Sequence, residues 1–331
     1  MSIKNVSVIM CTYNGADFIK EQLDSIINQT YPIYELIIQD DCSTDSTVSI
    51  LNDYVGQYDF IYLYQNESQK GINKNFYSAI SRAKGEYIAI SDQDDIWEPD
   101  KIEFQVNTIG DKWLSCGMSK PFSSNEEFYF DNRIPNISIE RLIHVNTLAP
   151  GHTMLFKKEM ISFIPEKAKI MYDHLFLIVA VSHNMISYQK KVMANHRVHE
   201  KSATHITQVL KTSRNKKSIM NISKSIYRSF KHYIILRKGM QCYFKEIYSI
   251  LKDMLSNESN ETVLKIAKYQ SKKGLISYIK LTYYCINSRL VLFYTIEKDG
   301  VLTFFKALFF PISCSDYFRY MLKKTPNNYT K

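Results

Sequence analysis

Val6-Ser7-Val8-Ile9-Met10-Cys11-Thr12-Tyr13-Asn14-Gly15 is an apolar run that gives way to polar and turn-forming residues. A short run of this kind, bounded by turn signals, reads as a buried strand. The pattern recurs along the chain. Tyr34-Glu35-Leu36-Ile37-Ile38 leads into Gln39-Asp40-Asp41-Cys42-Ser43-Thr44-Asp45, and Glu86-Tyr87-Ile88-Ala89-Ile90 into Ser91-Asp92-Gln93-Asp94-Asp95. Phe60-Ile61-Tyr62-Leu63-Tyr64 is a further strand. Helical spacing fills the gaps: Phe18, Ile19, Leu23, Ile26 and Ile27; a segment from Ser43 to Tyr54; then Phe76, Ala79, Ile80 and Ala83. Strands alternating with helices imply a mostly parallel sheet covered on both faces, an α/β doubly wound fold. Ligands of such folds bind beyond the carboxyl ends of the strands.

A chain of 331 residues is long enough for two units. Its 45% hydrophobic and 23% charged residues are those of a folded globular protein. Six cysteines stand singly at positions 11, 42, 116, 242, 285 and 314, with no C-x-x-C pair, so the expectation is free thiols in a reducing compartment. The N-terminal run passes into Thr12-Tyr13-Asn14-Gly15 rather than a cleavage site, which argues against a secretion signal. The best spanning candidate, Val301 to Ile312, is shorter than the ~18 residues a membrane needs and carries Lys306 and Pro311. Sequons at Asn66 and Asn257 read as chance. Charge is unevenly placed. Residues 1–204 hold 19 Lys/Arg against 26 Asp/Glu, a net of −7, and residues 205–331 hold 23 against 7, a net of +16. The expected division is therefore an α/β domain over 1–204 and a basic helical region over 205–331, the latter facing an anionic membrane or nucleic acid.

The strand ends carry the chemistry. Neither G-x-G-x-x-G nor G-x-x-x-x-G-K-[ST] occurs, so a dinucleotide fingerprint and a P-loop are unsupported. Carboxylates at strand ends can instead accept ribose or base hydrogen bonds and hold a hard divalent cation against phosphates. Asp92, Asp94 and Asp95 fall within four residues, and like charges so close cost energy unless a cation compensates them; an exposed acidic turn is the other reading. Asp45 reads as a helix cap.

The first hundred residues resemble family 2 glycosyltransferases. The matching stretches are 6–15; Leu36 to Asp45, with Cys42 where glycine is usual; Gly71-Ile72-Asn73-Lys74-Asn75; and Ala83 to Trp97, which contains a D-x-D segment. The Asp92-Gln93-Asp94-Asp95-Ile96-Trp97 form, followed by Pro99 and Lys101, is similar to the rhamnosyltransferase-like branch. Further on, Pro150 to Phe156 looks like the acceptor-side strand, with His152 where a small residue or Cys is common. Tyr172-Asp173-His174-Leu175 resembles the segment with the catalytic Asp, and Asn195-His196-Arg197-Val198-His199 the element closing the donor site, with Arg197 and His199 as the matched positions. Residues 110–141 and those beyond 204 match no motif.

The resemblance implies a GT-A fold, a nucleotide-sugar donor (dTDP-rhamnose or a UDP-sugar), inversion, and Mg²⁺ or Mn²⁺. It implies Asp173 as general base and Asp94, with Asp92 and His199, at the metal. Thr12, Tyr13, Asn14, Asp40, Asp41, Lys74, Asp92, Gln93 and Arg197 would meet the donor. Gly151, His152, Asp95 and Trp97 fall on the acceptor side, although Trp97 also reads as packing under the metal loop. From Ile219 onwards apolar residues recur at three- and four-residue spacing among lysines and arginines, as in helices that lie on an anionic membrane surface. A soluble helical unit or a homodimer interface would show the same pattern. The expectation is a bacterial surface-polysaccharide enzyme, cytoplasmic and peripheral on the inner face of the membrane, with a glycan or lipid-linked acceptor. A catalytically inactive sugar-nucleotide-binding scaffold and a nucleic-acid-binding protein are the alternatives, and no nucleic-acid motif is visible.

Overall fold

The structure, a computed structural model, describes residues 3–123, 128, 130–144, 148–165, 168–199, 219–254, 261–315 and 318. The expected boundary at 204/205 lies outside them. The chain forms two compact units, Met1–Asn132 with Ala149–Ile164 and Met171–Ser202, and Arg133–Leu148 with Pro165–Ile170 and Ala203–Lys331.

The first unit is built on an eight-stranded sheet. Its strands are β1 (Val6–Thr12), β2 (Glu35–Asp40), β3 (Ile61–Gln65), β4 (Tyr87–Ser91), β5 (Ile96–Trp97), β6 (Leu114–Phe122), β7 (Leu155–Lys157) and β8 (Ile186–Arg197), in the order β3-β2-β1-β4-β7-β6-β8-β5. β3, β2, β1 and β4 are parallel, with Val8 opposite both Leu36 and Ala89. β7 runs antiparallel to both β4 and β6, and β5 antiparallel to β8, so the sheet is mixed. The helices are α1 (Ile19–Ile27), α2 (Thr47–Val55), α3 (Ile72–Ile80), α4 (Lys101–Thr108) and α6 (Tyr172–Ser182). Val8, Met10, Leu36, Ile38 and Ala89 pack with Ile19, Leu23 and Ile26 of α1 and Leu51 of α2 in one core. α3 lies against β1 and β2 and presents Phe76 to Tyr172 of α6, ring centroids 4.1 Å apart. Burial on both faces is what makes these strands continuous apolar runs.

Trp97 and Lys101 share one buried place. Trp97 is 2% exposed, and the Lys101 ammonium stands 4.0 Å from its ring centroid. Lys101 Nζ donates to Gln105 Oε1 at 2.9 Å, and Gln105 Nε2 donates to the carbonyls of Ser115 and Thr153. Trp97 therefore packs in the core, its ring against the Lys101 ammonium. Burial pushes the Lys101 ammonium down from 10.5 to about 7. The unfolded chain then binds more protons than the folded one between about pH 7 and 10.5, so stability rises with pH across that window. Thermal melts should show the midpoint climbing across this range, by a stability difference on the order of a few kcal/mol. Lys101→Met should flatten the climb, and an unchanged slope would rule out Lys101 as its source.

The second unit contains α5 (Ile139–Leu142), α7 (Ile219–Met254), α8 (Glu261–Gln270), α9 (Leu275–Asn287) and α10 (Val301–Ser313). Phe244, Ile247, Leu251, Ile266, Leu281 and Phe310 are buried, and the His144 ring lies 5.1 Å from Phe244 and 4.9 Å from Phe310. The side chains expected to begin the α7 pattern, Ile219, Ile222 and Ile226, and Leu255 after it, lie outside what the structure describes. No helix among the described residues is long and apolar enough to cross a membrane.

Candidate active site

The polar ends of β1, β2 and β4 meet, as the position of their turn residues requires. Thr12 Oγ1 donates to Asp40 Oδ1 at 2.8 Å, and the Ser43 N–H donates to Asp40 Oδ2 at 2.8 Å. Asp40 is 1% exposed and Thr12 is equally buried. These two tie the ends of β1 and β2 together. Asp41 accepts from the Lys70 N–H and Asn66 Nδ2, each at 2.7 Å, and from the Gly71 N–H at 2.9 Å. Three of its roughly four acceptor positions are thus used on the loop before α3. Lys74, on α3, is exposed.

Asn14 and Cys42 sit in the left-handed region, at φ 49° and 66°. Asn tolerates this conformation, whereas at Cys42 it costs about 1–2 kcal/mol, the reason a glycine suits that turn. The Asn14 N–H donates to Ser43 Oγ, and Asn14 Oδ1 accepts from the Thr44 N–H, so the two turns are tied together. Asp45 accepts from the Thr47 N–H at 3.0 Å, next to the start of α2. Gln93 is committed to the backbone: its Oε1 accepts from the Tyr13 N–H at 2.8 Å and its Nε2 donates to the Tyr13 carbonyl at 3.0 Å. A Cβ at Gly15 would stand 2.3 Å from that amide, so a larger residue there would push the Gln93 side chain off the Tyr13 backbone. The Tyr13 ring remains exposed.

The segment after β4 is held by β8 and by the turn Gly151–Thr153. Asp95 is 0% exposed. Its Oδ1 accepts from the Arg197 N–H at 3.0 Å and lies 2.8 Å from His196 Nδ1. His152 Nδ1 stands 2.8 Å from Asp95 Oδ2, an ion contact outside hydrogen-bond geometry, and 3.0 Å from Asp92 Oδ2. Burial opposes charge on His152, but Asp95 and Asp92 outweigh it and raise the imidazole to about 10. Burial likewise opposes charge on Asp95, yet His152 and His196 hold its carboxyl well below the usual range. Asp95 and His152 are thus an internal ion pair, and Gly151 lies under the Tyr172 hydroxyl, which a Cβ would meet at 2.3 Å. All three are buried.

Asp94 differs. Its Oδ2 faces His199 Nε2 across 2.9 Å. Burial, then the charges of Asp95 and Asp92, raise the Asp94 carboxyl above its ordinary value, with His199 partly opposing. A carboxylate that its neighbours destabilise, paired with an imidazole at ligand spacing, fits a divalent cation. Asp95, His152 and His196 also offer three ligand atoms within 4.8 Å of one another. The His199 ring lies 4.4 Å from Phe18. Arg197 donates through Nε to the Asp94 carbonyl at 3.1 Å and through Nη2 to Glu21 at 3.0 Å.

Asp173 is half-buried in the first turn of α6, where the helix dipole favours its charge. Met171, not Asp173, occupies the cap, and Asp173 Oδ1 accepts from the His174 N–H at 2.7 Å. The Tyr172 hydroxyl is pushed well above its ordinary range by burial, then by Asp92 and Asp173. One buried tyrosine therefore feels both the β4 turn and the α6 start. Sequence reasoning missed Phe18, Glu21, Tyr172 and the role of His196. Tyr172 and His196 stood within the matched motifs, and nothing local marked Phe18 or Glu21.

Residues 7–181 match the family described as "Glycosyl transferase family 2". dTDP-rhamnosyl transferase RfbG of Shigella flexneri is 34% identical over 161 residues, 45% of this chain and 54% of that protein. The chain spans less than two thirds of the length of the first curated relatives it matches. Among solved structures, S. aureus TarS 1-349 in complex with UDP-GlcNAc aligns with a TM-score of 0.57 at 17% identity, over 97% of this chain and 92% of that one. The mannosyltransferase PcManGT from Pyrobaculum calidifontis, in complex with GDP-Man and Mn²⁺, aligns with a TM-score of 0.55 at 16% identity, over 99% and 88%. At such identities the likeness shows the fold, which is GT-A.

Proposed function

This chain belongs to glycosyl transferase family 2, and on that premise we propose that it moves a sugar, with inversion, from a nucleoside-diphosphate donor to a glycan or lipid-linked acceptor. The observation that supports the reading is the family match over residues 7–181, with Asp92 and Asp94 just past the end of β4 and Asp173 in the first turn of α6.

In the proposed reaction Asp173 takes the proton of the acceptor hydroxyl as its oxygen bonds to the anomeric carbon. The bond from that carbon to the diphosphate breaks on the opposite face, which inverts the centre. Asp94 and His199, with Asp92 beside them, would hold Mg²⁺ or Mn²⁺, which when bound offsets the charge growing on the leaving diphosphate. Arg197 lies next to that turn and suits a charge-assisted bond to phosphate. Lys74 supplies a second cation for the donor. The exposed Tyr13 ring can stack on the base, and Asp41 keeps an acceptor position for it.

The D-x-D-D form and the resemblance to RfbG favour dTDP-rhamnose, with a UDP-sugar as the other donor class. We place the work in assembly of a bacterial surface polysaccharide, on the cytoplasmic face of an anionic membrane. Thermal-shift and calorimetric titration with UDP, dTDP, GDP and their sugars, with and without Mn²⁺, tests the reading. One nucleotide should bind only with metal, and at a hundredfold excess over Kd should stabilise the protein by about 2.7 kcal/mol. A folded protein that binds none of them would overturn the transferase in favour of a scaffold.

A further inference from the structure

Two neighbouring helices of the second unit, α9 and α10, are apolar on more than one face. α9 buries Leu281 and Cys285, yet Leu275, Ile276, Ile279 and Tyr283 are each more than half exposed. Positions 275, 279 and 283 form one stripe at helical spacing. α10 buries Thr303, Ala307 and Phe310, while Val301, Leu302 and Phe305 are exposed to a similar degree. The two helices pack against each other. A helix that is apolar beyond its buried stripe has a second surface to satisfy.

The charges around these stripes select the occupant. Between residues 271 and 313 the sequence has six Lys/Arg and two Asp/Glu. Both acids are engaged, Glu297 with Lys306 at 3.0 Å and Asp299 with Arg289 at 2.6 Å. Lys272, Lys273, Lys280 and Lys298 are exposed on the same two helices and their approaches. A second copy docked face to face would set these lysines against their own counterparts. An anionic bilayer matches both the apolar stripes and the positive rim.

We infer that the exposed faces of α9 and α10 are a docking surface for an anionic lipid bilayer, entered by Leu275, Ile276, Ile279, Val301, Leu302 and Phe305. The inference deepens the membrane location proposed above and names its residues.

Flotation of the full chain with vesicles of phosphatidylglycerol and phosphatidylcholine, against phosphatidylcholine alone, tests it. The protein should float with the anionic vesicles and be released by salt. Lys272→Glu with Lys273→Glu should weaken binding by at least about thirtyfold. Leu275→Asn with Ile276→Asn and Ile279→Asn, on an already exposed face, should weaken it at least tenfold with the melting temperature unchanged. No flotation, or equal flotation with neutral vesicles, would overturn the inference. So would a dimer that the apolar variant splits in a protein that does not float. Flotation is read without nucleotide, so a protein that floats and binds no sugar nucleotide would defeat the transferase reading and leave this surface standing.

Discussion

Asp94→Ala is expected to abolish metal-dependent donor turnover, with a fall in kcat of at least about a hundredfold. The reason lies in what surrounds the carboxylate. Burial and the neighbouring Asp95 and Asp92 charges disfavour its ionised form, and His199 answers only part of that. A group raised above its ordinary value binds protons in the folded state that the unfolded chain would release. Without metal, Asp94 therefore weakens the fold as pH rises through its titration. Removing it should leave the melting temperature of the metal-free protein unchanged or higher. The rise that Mn²⁺ brings to the parent protein should disappear. A residue needed for structure alone would move these two melts the other way. Turnover equal to the parent's, with the nucleotide sugar found by titration, would sink the metal assignment.

Asp173→Asn should leave donor binding intact and reduce transfer by about 10²- to 10⁴-fold. The amide keeps the shape of the carboxylate and can still accept from the His174 N–H, so the start of α6 should hold its place. It cannot take a proton from an acceptor hydroxyl. The measurement is paired: Kd for the nucleotide by calorimetry, and initial rate with acceptor present. Equal loss in both would make Asp173 a positioning residue. Full activity would remove it from the reaction.

The parallel half of the sheet was legible because β1, β2 and β4 are buried on both faces, which writes them as continuous apolar runs. β6 and β8 were not. Leu-Ser-Cys-Gly-Met-Ser-Lys-Pro-Phe mixes small, polar and apolar residues, and its pairing with β8 shifts register at Gly117/Met118 and Met118/Ser119, which breaks any simple alternation. Nor does local composition mark residues 133–148 as part of the second unit. At the site, the aspartates were visible from their place after strands. Their division of labour was not. Asp95 and His152 are 57 positions apart, and only folding makes one the ion partner of the other. The burial of Trp97 and Asp40, 2% and 1% exposed, comes from the sheet around them and is not marked by the residues beside them in sequence.

The clasp of Gln93 on the backbone of Tyr13 reaches beyond geometry. Its side-chain amide does for two turns what a ladder rung does for two strands, so the two turns proposed to meet the base and the phosphates are joined before a ligand arrives. A nucleotide that meets them need not freeze two independent loops, and the entropy of that ordering has been surrendered during folding. Affinity then depends on the clasp as well as on the groups that touch the ligand. A change at Gln93 or Gly15 would surface as a slower on-rate and a larger entropic penalty, although neither residue need meet the sugar.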